Sequence, residues 1–330
     1  MTNRLTTAFF ALLLSLGAVA GEVNLYTDRQ ESFMRPIIAA FENSSGDKVS
    51  VLFTQSGPLW QRLQVEGASS PADVVLFKDR HVLESYARAG FAQAISDPLL
   101  LTLIPPAYRG AENRWLAVTK RARVIFTPVA EPLDSYAALA APAQRGGVCL
   151  RPPTHVYNIE LFADLLGRMG KDKFRAWLQG LKNNLARPPQ GKDRTQIQGV
   201  LNGECRAAIA NSYYYFNLIA RADDEMAQRL REQVRMNVPT QPHINITGMA
   251  LAKHAPHTDA ALRFMRFLAS DEGQQIFAKQ NYEFPARDDA PYPAELEPYR
   301  HTVQNAEPWS YHNGEILRRQ ASQIVEEIGF

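Results

Sequence analysis

Tyr213, Tyr214 and Tyr215 stand in a row within Ala208-Ile-Ala-Asn-Ser-Tyr-Tyr-Tyr-Phe216, and three consecutive phenols are hard to explain by packing alone. In a strand, successive side chains point to opposite faces; in a helix they diverge by about 100°. A buried phenol needs a hydrogen-bond partner or another use for its oxygen. One such use is coordination of a hard, highly charged cation. The other reading is an aromatic run at a strand-to-helix junction with its hydroxyls at the surface. The segment alone leaves both open.

The rest of the chain narrows the setting. Met1 to Ala20 carries one early arginine, Arg4, then the apolar run Ala8 to Ala20, with Ala18-Val19-Ala20 as a small-x-small cleavage pattern. This reads as a signal peptide, residues 1–20, with a mature chain starting near Gly21. The apolar run is well short of the roughly 20 residues of a spanning helix. With 330 residues, the product has room for two domains with proper cores. A formal net charge of +2 with dispersed charges gives no support to nucleic acid as a partner. Two cysteines, Cys149 and Cys205, are an even number in an exported chain and favour one disulfide. They make a poor zinc site, which wants four ligands.

The elements that would position the tyrosines alternate. Glu22–Tyr26 reads as a strand, and Phe33, Ile37, Ile38 and Phe41 follow at helical spacing up to Gly46. Lys48–Phe53 is a second strand, Leu59–Leu63 a helix, Ala72–Phe77 a strand, and His81–Ala89 a helix stopped by Gly90. Further on come a strand at Ala122–Thr127, helices at Asn158–Met169 and Phe174–Leu181, and a short strand at Ala207–Ala210. A strand at Ile244–Leu251 and one long helix over Asp259–Gln280 complete the pattern. Such alternation predicts an α/β fold with a mostly parallel sheet covered on both faces. No linker of proline or serine divides the chain, so two α/β lobes would be crossed more than once, near Lys120–Thr127 and Ile244–Leu251.

Several segments now resemble one family. They are Val23-Asn-Leu-Tyr-Thr-Asp-Arg-Gln30, Gln64-Val-Glu-Gly-Ala-Ser-Ser-Pro-Ala-Asp-Val74, Thr119-Lys-Arg-Ala-Arg-Val-Ile-Phe126, Asn211-Ser-Tyr-Tyr-Tyr215 and Gly273-Gln-Gln-Ile-Phe-Ala-Lys-Gln-Asn-Tyr-Glu-Phe-Pro285. Together they are similar to the ferric-ion-binding branch of the periplasmic substrate-binding proteins of ABC transporters, over nearly the whole mature chain. The resemblance implies a type II-like two-lobed fold, with hinge strands and an interlobe cleft. On it the first lobe takes residues 21–122 and 245–290, and the second 123–244 and 291–330. The adjacent ligand tyrosines match Tyr213 and Tyr214, and a further one matches Tyr157 in His155-Val-Tyr-Asn-Ile159. Many relatives place a histidine after the first strand, where this chain has Arg29-Gln30-Glu31. That departure resembles the subset that completes the metal shell with a bound carbonate.

The chemistry is consistent with that resemblance. Fe(III) prefers hard anionic oxygen to thiolate. A nearby cation stabilises a phenolate, pulling the phenol below its ordinary pKa of about 10. Three phenolates balance three positive charges, which limits the cost of a partly buried ion. Carbonate needs donors of its own, for which Arg29 and Arg121 suit as guanidinium forks and Gln30 as an amide. Glu31 is an extra ligand, a charge at a helix N-terminus, or both. Arg121 and Arg123 share a strand face, and a solvated pair is the other reading for them. Tyr215 is assigned to packing.

The expected function is capture of Fe(III) in the periplasm and delivery by a monomer to an ABC permease. Rival readings are a same-fold protein for a small anion, a polyamine or thiamine, and a binding lobe feeding a membrane sensor. An enzyme is not expected, since neither Gly-x-Ser-x-Gly nor His-Glu-x-x-His occurs.

Overall fold

The computed structural model describes residues 20–306 and 314–330, so the expected signal peptide lies outside the described residues but for Ala20. β1 (Glu22–Thr27), α1 (Glu31–Ser45), β2 (Lys48–Phe53), α2 (Ser56–Glu66), β3 (Val74–Phe77), α3 (Arg80–Arg88) and α4 (Pro98–Leu103) follow in order. β1 pairs in parallel with both β2 and β3. The apolar spacing read from the sequence is the buried face of α1, namely Met34, Ile37, Ile38 and Phe41. Gly46 ends that helix at φ 77°, a left-handed conformation that glycine adopts without strain.

β4 (Leu116–Pro128) is the long element of the molecule, and β5 (Val148–Cys149), α5 (Val156–Met169), α6 (Lys171–Asn183) and α7 (Asp193–Leu201) come after it. Then come β6 (Ala207–Asn211), α8 (Tyr213–Arg221), α9 (Asp224–Gln233) and β7 (Val234–Asn237). From Arg123 onward β4 pairs antiparallel with β6, and from Ile125 also with β7. β5 lies parallel to β6, with Cys149 opposite Ala208. Cys149 and Cys205 are disulfide-bonded at a Cα–Cα distance of 5.7 Å, as the cysteine count predicts.

β8 (Ile244–Leu251), α10 (Thr258–Ala269), α11 (Asp271–Asn281), β9 (Phe284–Pro285), α12 (Arg300–Gln304) and α13 (Gly314–Glu327) close the chain. β8 runs antiparallel to β3 on one side and to the first half of β4, Leu116 to Ala122, on the other. The strand order is therefore β2-β1-β3-β8-β4-β6-β5, with β7 and β9 paired to β4. β4 changes partners between Ala122 and Arg123, and the two halves of the sheet meet along it. One apolar core fills the β1–β3–β8 side and continues onto β6; a second lies between β5, β6, α5, α6 and α13.

The sheet is not mostly parallel as the alternation predicts, since among the described residues five of its eight strand pairings are antiparallel, and two elements also differ from the sequence reading. The expected helix over Asp259–Gln280 is two helices, broken at Ser270, whose backbone is extended at φ −70°, ψ 166°. The Ser270 hydroxyl accepts from the Gly273 amide at 3.1 Å, and Asp271 and Glu272 fill the new first turn. A local serine cap with acidic followers outweighs the apolar period there. The strand expected over Ala122–Thr127 is only part of β4, because Lys120 and Arg121 break the apolar pattern while being fully buried. The Lys120 ammonium lies 3.1 Å from Asp288 and 4.6 Å from the Tyr108 ring centroid.

Candidate metal centre

Three phenols meet at the start of two helices. α5 opens on His155, whose Nδ1 accepts from the Tyr157 amide at 3.2 Å. That cap leaves the imidazole half-buried beside the Tyr157 ring, 4.8 Å between centroids. Burial and the neighbouring Arg151 pull its pKa down to about 4, so it is neutral at pH 7. α8 opens on Tyr213 directly after β6, so the tyrosine pair sits where strand turns into helix. The Tyr213 and Tyr214 rings lie 4.2 Å apart at 31°. The Tyr213 phenol interacts electrostatically with those of Tyr157 and Tyr214. The three phenols expected as ligands are thus brought together.

Tyr215 turns away. Its hydroxyl donates to the carbonyls of Leu230 and Val234, each at 3.1 Å, and its ring packs on Phe126. That satisfies its oxygen inside the core, and the packing assignment holds.

Burial pushes Tyr157 and Tyr213 well above the ordinary phenol value, and the mutual nearness of the phenols adds to the rise. Arg121 works in the opposite direction on both. Without a cation the site is therefore protonated at neutral pH, and metal must displace those protons to bind.

Guanidinium groups ring the phenols. Those of Arg151, Arg123 and Arg121 lie 5.3, 5.9 and 6.0 Å from the Tyr157 ring centroid. That of Arg194 lies 5.6 Å from the Tyr214 ring. These are cation–π distances. Arg121 and Arg123 are not a solvated pair: each is 1% exposed. They also divide their partners. Arg121 donates to the carbonyls of Lys78 and Ile246 and lies 3.8 Å from Asp79. Arg123 donates to Asp193 at 2.7 Å, Asn158 at 2.6 Å and Asn211 at 3.1 Å. Burial alone would lower the pKa of Arg121, but Tyr157, Glu283, Asp79 and Tyr213 more than offset it.

The other expected anion residues are placed differently. Arg29 is buried and donates to Glu283 at 2.7 Å and Thr247 at 3.0 Å, so its two outer nitrogens are engaged inside the protein. Gln30 is exposed as the residue before α1, with no capping hydrogen bond from its side chain. Glu31 is exposed in the first turn of α1 and its carboxylate is taken by Arg35, with Nε at 2.7 Å. Glu31 thus sits as the acid of the first turn of α1, held by its helix neighbour. Of the four residues expected to hold the anion or extend the shell, Arg121 alone borders Tyr157.

Among the described residues, no group of three or more His, Cys, Asp or Glu could hold a metal ion. What the described residues gather at this place is a set of phenol oxygens. Sequence reasoning passed over Arg151, Arg194, Asp193 and Asn158. Each is an ordinary polar residue in sequence, and only folding brings it to the tyrosines.

With this geometry in hand, the comparisons with known proteins are direct. The family model of the bacterial extracellular solute-binding proteins matches residues 25–283, and the chain belongs to that family. It is similar to iron uptake protein A2 of Synechocystis, 32% identical over 98% of this chain and 96% of that protein. Its fold matches the ferric iron-binding protein A of Mannheimia haemolytica in an open conformation, with a TM-score of 0.82 and 33% identity over 94% of this chain and 99% of that one. It also matches the Trichodesmium protein solved with iron and citrate, with a TM-score of 0.84 and 31% identity over 94% and 99%. The fold is the two-lobed type II fold of these periplasmic binding proteins, as the resemblance implied.

Proposed function

We propose that this chain is a periplasmic binding protein that captures Fe(III) through the phenolates of Tyr157, Tyr213 and Tyr214 and hands it to an ABC permease. The observation that carries the reading is the convergence of three phenols from α5 and α8 at a place where, among the described residues, no carboxylate or histidine cluster could hold a metal. Hard anionic oxygen is what ferric ion selects. The names of the relatives, an iron uptake protein and ferric-binding proteins, support the same cargo. They are binding proteins, which suits a chain that is not an enzyme.

Charge supports a synergistic dianion such as carbonate. Arg29, Arg121, Arg123 and Arg151 face Glu283, Asp79 and Asp193, and Arg194 stands over the Tyr214 ring. Five guanidiniums against three carboxylates leave two positive charges. Three phenolates and one ferric ion cancel, so the surplus calls for a dianion. Arg121, beside Tyr157, is the donor best placed for it, while Glu283 offsets Arg29. The switch of partners on β4 between Ala122 and Arg123 supports lobe boundaries at 21–122 with 245–290 and 123–244 with 291–330. The protein acts as a monomer after export.

The test is titration of metal-free protein with ferric citrate in bicarbonate buffer. A phenolate-to-iron charge-transfer band in the visible, saturating at one iron per chain, is expected. No band at any iron concentration overturns the reading, and leaves a small anion, a polyamine, thiamine or a sensor ligand as the cargo.

A further inference from the structure

Asp193 is the first residue of α7, 0% exposed, and touches none of the three phenols through any hydrogen bond. Its carboxylate is nevertheless tied to both halves of the tyrosine site. Oδ1 accepts from Arg151 at 2.8 Å. Oδ2 accepts from Arg123 at 2.7 Å and from the Asn211 backbone amide at 3.0 Å.

Each of these donors leads to a tyrosine. Arg123 and Arg151 both lie over the Tyr157 ring. Arg123 also donates to Asn158, the residue after Tyr157, and Asn158 in turn donates to the carbonyls of Arg151 and Pro152 at 3.1 and 3.2 Å. Asn211 stands two residues before Tyr213, and its side-chain oxygen accepts from Arg123. One buried network thus fixes the start of α5 and the end of β6 to the same carboxylate.

We propose that Asp193 is the positioning residue of the iron site, setting the separation between the Tyr157 phenol and the Tyr213–Tyr214 pair. The proposal rests on the ferric reading above. A metal shell needs its ligands held close to the productive geometry, and the groups behind the ligands supply that hold. Three elements meet at Asp193, namely β4, β6 and its own α7, together with Arg151 of the loop that leads into α5. Only a carboxylate can serve there. It offers two acceptor oxygens and no donor, so it can receive three N–H groups at once. An amide would keep one acceptor and turn an N–H toward a guanidinium.

The experiment compares wild type with Asp193→Asn, Asp193→Glu and Arg151→Gln, and uses Asp97→Asn as a control. Asp97 is another buried carboxylate, paired with Arg266 at 2.9 Å away from the tyrosines. Ferric citrate in bicarbonate buffer is the probe, with apo melting temperature measured in parallel. Asp193→Asn should weaken iron binding by about 10–100-fold, the range for groups behind a metal's ligands, and should move the charge-transfer maximum. Asp193→Glu should restore part of both, and Arg151→Gln should give a smaller loss in the same direction. Asp97→Asn should lower the melting temperature with an unchanged band.

Folded Asp193→Asn protein with wild-type affinity and band position overturns the proposal. If Asp193→Asn does not fold, Arg151→Gln decides: an unshifted band and unchanged affinity there overturn it. A wild-type protein that gives no band refutes the ferric reading itself, and is distinguished from failure of this proposal by that first measurement.

Discussion

The two sides of this molecule treat their arginines in opposite ways. On the β1–α1 side, Arg29 is neutralised by Glu283, and Glu283 is held again by Thr119; Glu31 is spent on its helix neighbour Arg35. On the α5–α8 side, Arg121, Arg123, Arg151 and Arg194 crowd phenol rings, and Asp193 is shared by two of them. The first side is charge-satisfied before any ligand arrives. The second carries surplus positive charge and the protonated phenols of Tyr157 and Tyr213. A site of that kind becomes balanced only when the phenols ionise around a cation and an anion joins them. Under the proposed ferric reading the difference puts the metal chemistry on the second side, and that can be broken by experiment.

The largest effect should come from Tyr213→Phe and Tyr214→Phe. Each keeps the ring, and so the stacking at 4.2 Å, but removes the oxygen. Loss of a ligand should exceed the roughly 10–100-fold that a supporting group is worth, with the charge-transfer band weakened or gone. Apo melting temperature should change little. Unaltered iron affinity in both variants would refute the role of this side.

The next effect is a dependence on pH. Burial and neighbouring phenols hold Tyr157 and Tyr213 high, so across the neutral range the free site keeps its protons and the loaded site does not. Binding therefore releases protons, and affinity rises with pH. The protons of Tyr157 and Tyr213 leave, which allows about a hundredfold gain per pH unit, roughly tenfold per proton. Iron affinity measured by chelator competition between pH 6 and 8 gives the slope, and a flat profile contradicts phenolate ligation.

The anion comes third. Iron titration in bicarbonate-depleted buffer should show weaker binding and a shifted band, restored by bicarbonate. Arg121→Gln should blunt that response because Arg121 borders Tyr157, whereas Arg29→Gln should act mainly through stability by leaving Glu283 buried and unpaired. Identical titrations with and without bicarbonate would mean that water or a side chain completes the shell.

What was legible in the sequence follows the same division. The apolar periods of β1, α1, β2 and β8 are strong, and those elements fall where the pattern puts them. The paired tyrosines were legible because three phenols in a row are unusual. Tyr157 required a resemblance, since one tyrosine before a helix carries no signal of its own. The carboxylates and arginines around them were not legible, because Asp193, Arg151 and Arg194 reach the site through tertiary contacts that no local period encodes. Ser270 was legible in principle: a serine followed by two acids marks a new helix, but the continuing apolar pattern of α10 masked it.

The disulfide adds a stability test that should leave the chemistry alone. Cys149–Cys205 closes a sequence separation of 56 residues and ties β5 to the chain entering β6. Replacing both with alanine should cost about 2–4 kcal/mol by loop-closure reasoning. Denaturant unfolding of apo protein checks it. At temperatures where the variant is folded, its charge-transfer band should match wild type.

The smallest effect belongs to Glu31, and its smallness is the point. As a ligand, Glu31 would lose iron affinity on conversion to Gln. As the first-turn acid that the structure shows, exposed and paired with Arg35 at i,i+4, it contributes a few tenths of a kcal/mol. Glu31→Gln should therefore leave iron affinity and band position unchanged, and lower apo stability by less than about 0.5 kcal/mol. The chelator competition that detects Tyr213→Phe resolves this. A tenfold loss in Glu31→Gln would mean that α1 swings its N-terminus onto the metal when iron binds, and that the β1–α1 side is completed by ligand rather than satisfied beforehand.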